Sequence, residues 1–209
     1  LEKDFNNEKF PKKVHNSIFK KVGSEYYNKI FSKYDMDKNQ QLENISVWEF
    51  LEIITFGELV NFYEFFSKEY NLENELKNIF ILREVVKLRN AVAHNSCVLS
   101  ELDKKDNLHR ADTLVINYLR ECEVGKETRN NKLSNSRIRQ MTYTLYMFNE
   151  IVTSMGIKKN VTEDINELFF GRIIYHKEYY NNNGLLKSVY TYFYKIIKKY
   201  YSSDIEKKV

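Results

Sequence analysis

The chain has 209 residues, of which 43% are hydrophobic and 30% are charged, so it is long enough to bury the core of one domain. Its two cysteines, Cys97 and Cys122, are too few for a disulfide-built scaffold, and neither has the neighbours expected of a zinc site. The net charge of +4 agrees with a nucleic-acid partner but does not establish one.

Apolar residues recur at helical spacing along the chain. They predict helices over about 14–34, 47–68, 72–94, 108–122, 136–155, 163–180 and 185–201, with a polar loop at 35–41 and a turn at 181–184. Ser46 and Glu49 have the spacing of a capping box at the start of the second helix, and Gly57 predicts a kink or a close helix contact. The single proline and the absence of alternating polar and apolar runs argue against a sheet. We therefore expect an all-α bundle.

The hexapeptide Arg89–His94 stands out at the end of the third predicted helix. Leu82, Val85, Val86, Val92 and Ala93 lie within about 60° of Arg89 on a helical wheel, so this arginine occupies an apolar stripe. A buried arginine is costly unless it is paired, which leaves an internal carboxylate, a partner subunit or a phosphate to compensate it.

Arg89 and His94 supply the groups that a metal-free ribonuclease needs, a cation for phosphate and an imidazole that moves protons near neutral pH. Asn90 lies one turn before His94, where its amide is expected to hydrogen-bond the imidazole. Arg89 and His94 are about 140° apart on an ideal helix, so they meet on one ligand only through a kink, the length of the arginine or a second copy of the helix. The alternative is a buried ion pair for Arg89 and a polar helix cap for His94.

The segment Leu88–Asn95, with the sequence LRNAVAHN, resembles the R-x(4–6)-H motif of the HEPN superfamily of helical domains, and specifically its Abi-like (abortive infection) branch. Residues 46–59, with the sequence SVWEFLEIITFGEL, are similar to the tryptophan- and acid-containing helix of that branch. The resemblance covers about 45–155. It implies a single all-helical HEPN-type domain over 1–209, with this core and a C-terminal helical extension at 157–209.

The resemblance implies a metal-independent endoribonuclease, a toxin or phage-defence effector whose site forms at a homodimer interface. In that site His94 acts as general base or acid, Arg89 holds the phosphate and Asn90 orients His94 or contacts RNA. The products would be a 2′,3′-cyclic phosphate and a 5′-hydroxyl, without a cofactor or metal. RNA is the expected substrate, and an RNA or protein antitoxin is a reasonable partner. The alternative is a non-catalytic RNA-binding or regulatory module.

A charged, Asn-rich connector at 125–136 is predicted to be mobile or to reach toward a ligand. Candidates for contacts with the RNA backbone lie in or beside it: Lys126, Arg129, Lys132, Arg137 and Arg139. A tyrosine-rich tail, which includes Tyr190 and Tyr194, is expected to pack on the bundle rather than stack bases.

No apolar run is long enough to cross a bilayer, and no signal-peptide pattern opens the chain, so we expect a soluble cytoplasmic protein without a membrane partner. The chain begins at Leu1 and not at methionine, which is consistent with a missing natural front end.

Overall fold

A computed structural model describes residues 10–12, 14, 28, 46–106 and 111–202 of the chain. Every regular element in these residues is helical, which confirms the predicted all-α class. The predicted helix at 14–34 and the predicted loop at 35–41 lie outside the described residues, apart from Val14 and Asn28. The chain divides into two compact units, Leu1–Val86 and Lys87–Val209.

In the first unit, the predicted helix 47–68 is two helices, α1 (Val47–Ile53) and α2 (Phe56–Glu69). The predicted Ser46–Glu49 capping box is confirmed, because each side chain bonds the other residue's backbone N–H. A second capping box, formed by Thr55 and Glu58, starts α2. The helix is therefore interrupted at Ile54 and Thr55. Of the two interpretations of Gly57, a kink or a helix contact, the kink does not occur there, because Gly57 lies within α2.

Aromatic side chains form the core of this unit. Phe50 of α1 meets Phe62 of α2 edge-on at 5.0 Å between ring centroids, and Phe10 meets Phe65 at 5.4 Å. These rings pack with Val14, Ile53 and Ile54 in one buried cluster. Burying each large apolar side chain contributes about 1.5–3 kcal/mol, so this cluster is what holds α1 and α2 together.

The predicted helix 72–94 is also two helices, a short α3 (Glu73–Leu76) and α4 (Ile79–Ala93). Gly57 packs beside Val86 of α4, where an added Cβ would lie 3.5 Å from the valine methyl, an ordinary contact. The first half of α4 is anchored by the buried residues Ile79, Ile81 and Glu84.

The second unit contains α5 (Thr113–Glu121), α6 (Lys126–Leu133), α7 (Ser136–Ile151), α8 (Met155–Asn166), α9 (Ile173–Tyr175) and α10 (Gly184–Tyr200). A π-helix, Glu167–Arg172, joins α8 to α9, and a 3₁₀ turn, Lys177–Tyr179, follows α9. Its core lies between α5, α7 and α10, where Val115, Leu119, Ile138, Ile196 and Ile197 are almost fully buried.

Polar contacts within this core fix how α7 and α10 pack. The hydroxyls of Thr142 and Tyr192 lie 3.0 Å apart, and Tyr201 donates to the backbone oxygen of Leu145 at 2.6 Å. Tyr192 and Tyr201 are buried, and Tyr190, Tyr194 and Tyr200 are half-buried. The prediction that the tyrosine-rich tail packs on the bundle is therefore confirmed.

Across residues 46–106 and 111–202, no helix combines the length and the apolar character that a membrane span requires.

Candidate functional site

The hexapeptide Arg89–His94 lies at the end of α4, where the described residues are exposed or half-buried. No residue from Lys87 to Ala93 is buried, whereas the first half of the same helix contributes Ile79 and Ile81 to the core. Val92 is 57% exposed although it belongs to the predicted apolar stripe. The apolar stripe is therefore partly buried in the first half of α4 and largely exposed at its end.

Arg89 is exposed, and its Nη1 donates to the side-chain oxygen of Asn90 at 3.2 Å. Among the described residues no carboxylate pairs with it. The alternative of a buried ion pair is therefore wrong for this chain. A guanidinium has five N–H donors in a planar fork, so a contact with one amide leaves most of them for a ligand.

His94 is the C-cap residue of α4. Its backbone N–H donates to the backbone oxygen of Asn90 at 3.0 Å, and the next two N–H groups donate back to the helix, from Asn95 to Val92 at 3.0 Å and from Ser96 to Ala91 at 2.8 Å. This pair of bonds is the Schellman motif, which requires a left-handed residue just after the cap. Asn95 supplies it with a φ of 53°. The motif turns the chain sharply and presents the exposed His94 at the helix end.

The prediction that the Asn90 amide bonds the His94 imidazole is wrong. The side-chain oxygen of Asn90 accepts from Arg89 instead, and only its backbone oxygen accepts from His94. Within the described part of the chain the imidazole has no hydrogen-bond partner. Asn90 therefore positions the guanidinium, and the imidazole is left available to a ligand.

The loop that follows His94 is tied to the junction of α6 and α7. Asn135, which is buried, donates to the backbone oxygens of Glu101 and Lys104 at 2.8 and 2.7 Å. The same side chain caps α7 by accepting from the N–H of Ile138 at 3.0 Å. At the end of the loop, the backbone N–H of Asp106 donates to Ser134 at 2.7 Å. The loop that follows His94 is therefore held at several points by the junction of α6 and α7.

Lys104 lies in this loop as an exposed ion pair with Glu101. The hydrogen bond and the charge of Glu101 raise the pKa of the Lys104 ammonium. Because both partners are exposed, the pair contributes little to stability.

The predicted connector at 125–136 is wrong as a loop, because Lys126–Leu133 is the helix α6. Three of the cations predicted to contact RNA are buried: Arg129, Lys132 and Arg139. Arg129 bonds the backbone oxygen of Val124, and Lys132 donates to Ser188 Oγ at 2.7 Å. Burial lowers the pKa of the Lys132 amine.

Arg139 donates to the backbone oxygen of Leu133 at 3.0 Å and to Asp106 at 2.9 Å. Arg137 is half-buried and donates to Gln140, whereas Lys126 is exposed. Of the five cations, three therefore serve the fold, and Lys126 has the exposure that an RNA contact needs.

The sequence analysis included Asn95 in the motif without giving it a role and did not name Asn135, although both positions carry a signal for a helix terminus. Asparagine is common just past a helix end and just before a helix start, the two places that these residues occupy. Within residues 46–106 and 111–202, no three His, Cys, Asp or Glu side chains come together as metal ligands.

The family model described as Abi-like protein matches residues 1–100 of the chain. The match covers the helix that begins at Ser46 and the whole Arg89–His94 hexapeptide, and it confirms the resemblance to the Abi-like family. No curated protein and no solved structure matches the chain.

Proposed function

Because residues 1–100 carry the Abi-like family pattern, we propose that this chain acts in abortive infection as a metal-independent endoribonuclease. The observation that carries the proposal is the state of Arg89 and His94. An arginine on an apolar stripe is exposed, steadied by an amide rather than neutralised by a carboxylate, and a histidine with an uncommitted imidazole stands at the end of the same helix. Among the described residues, neither side chain forms an ion pair or packs in the core.

A second copy of the chain completes the site in this proposal. The side chains of Arg89 and His94 project about 140° apart from one ideal helix, and a two-fold axis beside α4 would bring an arginine and a histidine from two copies to one phosphate. The uncovered surface at Leu88, Val92 and Ala93 supplies apolar area for that contact. This face of α4 would thus be buried only in the dimer.

The proposed reaction is attack of a ribose 2′-oxygen on its own phosphodiester. The 2′-oxygen forms a bond to phosphorus, the bond to the 5′-oxygen breaks, and the products are a 2′,3′-cyclic phosphate and a 5′-hydroxyl. His94 takes the 2′ proton or returns one to the leaving oxygen, a role that contributes about 10²–10⁴ in rate. Arg89 binds the nonbridging oxygens as charge develops on them.

The distribution of charge supports a polyanionic substrate. Residues 87–209 carry 21 Lys and Arg against 14 Asp and Glu, a net charge of +7, whereas residues 1–86 carry 12 against 15, a net charge of −3. The hexapeptide therefore belongs to the basic unit. A basic surface concentrates RNA and makes its binding depend steeply on salt.

The test is RNA cleavage by the purified chain in EDTA. We expect His94→Asn and Arg89→Ala each to reduce cleavage at least about 100-fold. Arg83→Ala is the matched control, because Arg83 is an exposed arginine of the same helix that pairs with Glu64. An RNA with one 2′-deoxy nucleotide at the scissile position should resist. Undiminished cleavage by His94→Asn would contradict the proposal.

The alternative, a non-catalytic RNA-binding module, shares the basic unit and the exposed arginine. It predicts RNA affinity that falls steeply with salt, without cleavage by the parent chain. In that case Arg89→Ala would weaken binding, and His94→Asn would have no activity to abolish.

A further inference from the structure

Residues 149–188 form a helical segment in which no residue is buried. Contacts with α10 hold it in place: Tyr190 donates to the backbone oxygen of Phe169 at 3.1 Å, and the rings of these two residues stack at 5.5 Å. Asn166 donates to the backbone oxygen of Tyr201 at 2.8 Å. The segment lies beyond the residues that match the Abi-like family, so the family assigns it no role.

Three aromatic side chains are grouped on the exposed side of this segment, where α9 gives way to the 3₁₀ turn. The rings of His176 and Tyr179 are nearly parallel, 9° apart in plane with centroids at 5.4 Å. Tyr175 meets His176 edge-on at 4.8 Å. We call Tyr175, His176 and Tyr179 the aromatic platform.

The platform is ordered by its backbone rather than by burial. The N–H of His176 donates to Arg172 at 3.1 Å, and the N–H of Tyr179 donates to His176 at 3.1 Å. Nevertheless Tyr175 is 79% exposed and Tyr179 is 72% exposed. Single exposed rings are common on protein surfaces, but these rings contact one another and form a contiguous patch, which is the kind of surface that marks a binding site.

The net charge of the unit that contains the platform favours an anionic partner over an apolar one. Lys177 is exposed and lies between His176 and Tyr179 in the sequence. The unit that contains these residues has a net charge of +7. Arg172 is paired with Glu167, and Glu178 lies 3.7 Å from His176. Among the described residues no carboxylate pairs with Lys177, so this lysine is the cation we assign to a phosphate.

We propose that the aromatic platform stacks unpaired bases of RNA while Lys177 contacts the adjacent phosphate. Nucleobases stack on exposed aromatic faces whatever their sequence, and a base within a duplex has both faces covered. The platform therefore selects single-stranded RNA. This inference rests on the proposed function for the identity of the ligand, and it adds a binding site remote in sequence from Arg89 and His94.

The experiment is fluorescence anisotropy in EDTA on the full chain, with a labelled single-stranded RNA of about 12 nucleotides whose riboses are 2′-O-methylated. Such an RNA cannot be cleaved by 2′-oxygen attack, whichever residues carry the reaction. We expect Tyr175→Ala and Tyr179→Ala each to raise the Kd between about 5-fold and about 100-fold, and Tyr179→Phe to leave it unchanged because the ring is kept. Trp48→Ala, which removes a ring that is 78% exposed in the other unit, is the matched control and should have no effect. A blunt duplex of the same sequence should bind with little dependence on Tyr175 or Tyr179.

An unchanged Kd in both alanine variants would overturn the platform. So would a loss of affinity that follows a change of oligomeric mass in light scattering, because the rings would then bind a second copy of the chain. Failure of the platform is distinguishable from failure of the ribonuclease proposal. If His94→Asn cleaves like the parent, the roles proposed for Arg89 and His94 fail, but the anisotropy result still tests the platform. If His94→Asn loses cleavage and both alanine variants keep the parental Kd, only the platform fails.

Discussion

The Nη2 of Arg139 donates to the Oδ2 of Asp106 across 2.9 Å, and this ion pair joins α7 to the end of the loop that follows His94. The side chain of Arg139 is only 3% exposed, whereas that of Asp106 is 40% exposed. A buried guanidinium needs its partners, so the more exposed carboxylate of the pair contributes to stability. Arg139 therefore anchors the loop that follows His94 and does not serve as a contact for RNA.

Replacing Asp106 tests this relationship. We expect Asp106→Ala to lower the free energy of unfolding by about 1–3 kcal/mol, because Arg139 would keep its burial and lose its carboxylate. Asp106→Asn keeps an oxygen acceptor and should lose less. Asp103 lies in the same loop and is exposed, so Asp103→Ala should stay within about 0.5 kcal/mol of the parent. Urea unfolding of the four proteins measures these differences, and equal losses for Asp103→Ala and Asp106→Ala would contradict the assignment.

The helical class and the positions of α4, α7 and α10 follow from apolar periodicity, but α6 does not. Its inward positions are Arg129, Lys132 and Leu133, which have helical spacing although two of them are cations. Arg129 bonds the backbone oxygen of Val124, five residues earlier, and Lys132 donates to Ser188, 56 residues later. Hydropathy counts both cations as polar and does not register these contacts. A pattern of apolar residues therefore missed this helix.

The interruption between α1 and α2 was hidden for a different reason. Leu51, Ile54 and Leu59 keep a helical spacing across it, so periodicity predicts one continuous helix. The local signal is the Thr55–Glu58 capping box, which satisfies the free N–H groups of a new helix start. Capping chemistry locates this boundary, whereas the apolar pattern does not.

The site was predicted in part. The presence of Arg89 on the apolar stripe of α4 is a sequence property, but its exposure depends on which part of the helix the rest of the chain covers. The hydrogen bond of Asn90 was assigned to the wrong partner because helical spacing places His94 nearby, whereas His94 is the C-cap and Arg89 reaches the amide first. The partner of a polar side chain near a helix end therefore depends on side-chain length and on where the helix stops, and residue spacing alone does not predict it.

Asn95 is expected to matter for activity as well as stability. Its φ of 53° favours glycine or asparagine, so Asn95→Ala should cost about 1 kcal/mol and Asn95→Gly very little. Because the left-handed turn sets the direction in which the chain leaves His94, Asn95→Ala should also reduce RNA cleavage, measured at a temperature at which the variant is fully folded.

Asn71 provides the matched control for Asn95. It occupies the same position after α2, with a φ of 55°, and the N–H of Leu72 returns to the backbone oxygen of Ser67 at 2.8 Å. Asn71→Ala should therefore lose similar stability and keep parental cleavage. If Asn71→Ala and Asn95→Ala reduce cleavage equally, the turn after His94 acts through stability alone.

Thr142 and Thr191 make the same hydrogen bond to their own helix, one in the core and one at the surface. Each hydroxyl donates to the backbone oxygen four residues earlier, at 2.7 Å for Thr142 and 2.9 Å for Thr191, but Thr142 is buried and Thr191 is exposed. Thr142 also lies 3.0 Å from the buried hydroxyl of Tyr192.

Thr142→Val would leave the Tyr192 hydroxyl without its partner in a dry core, at a cost of about 1–3 kcal/mol. Thr191→Val should change the free energy of unfolding by less than about 0.5 kcal/mol, since water replaces the lost contact. In the double variant Thr142→Val/Tyr192→Phe, which removes both polar partners, part of the lost stability should return. Chemical unfolding of these variants measures the differences. A Thr142→Val protein as stable as the parent would show that the Thr142–Tyr192 hydrogen bond between α7 and α10 does not contribute to stability.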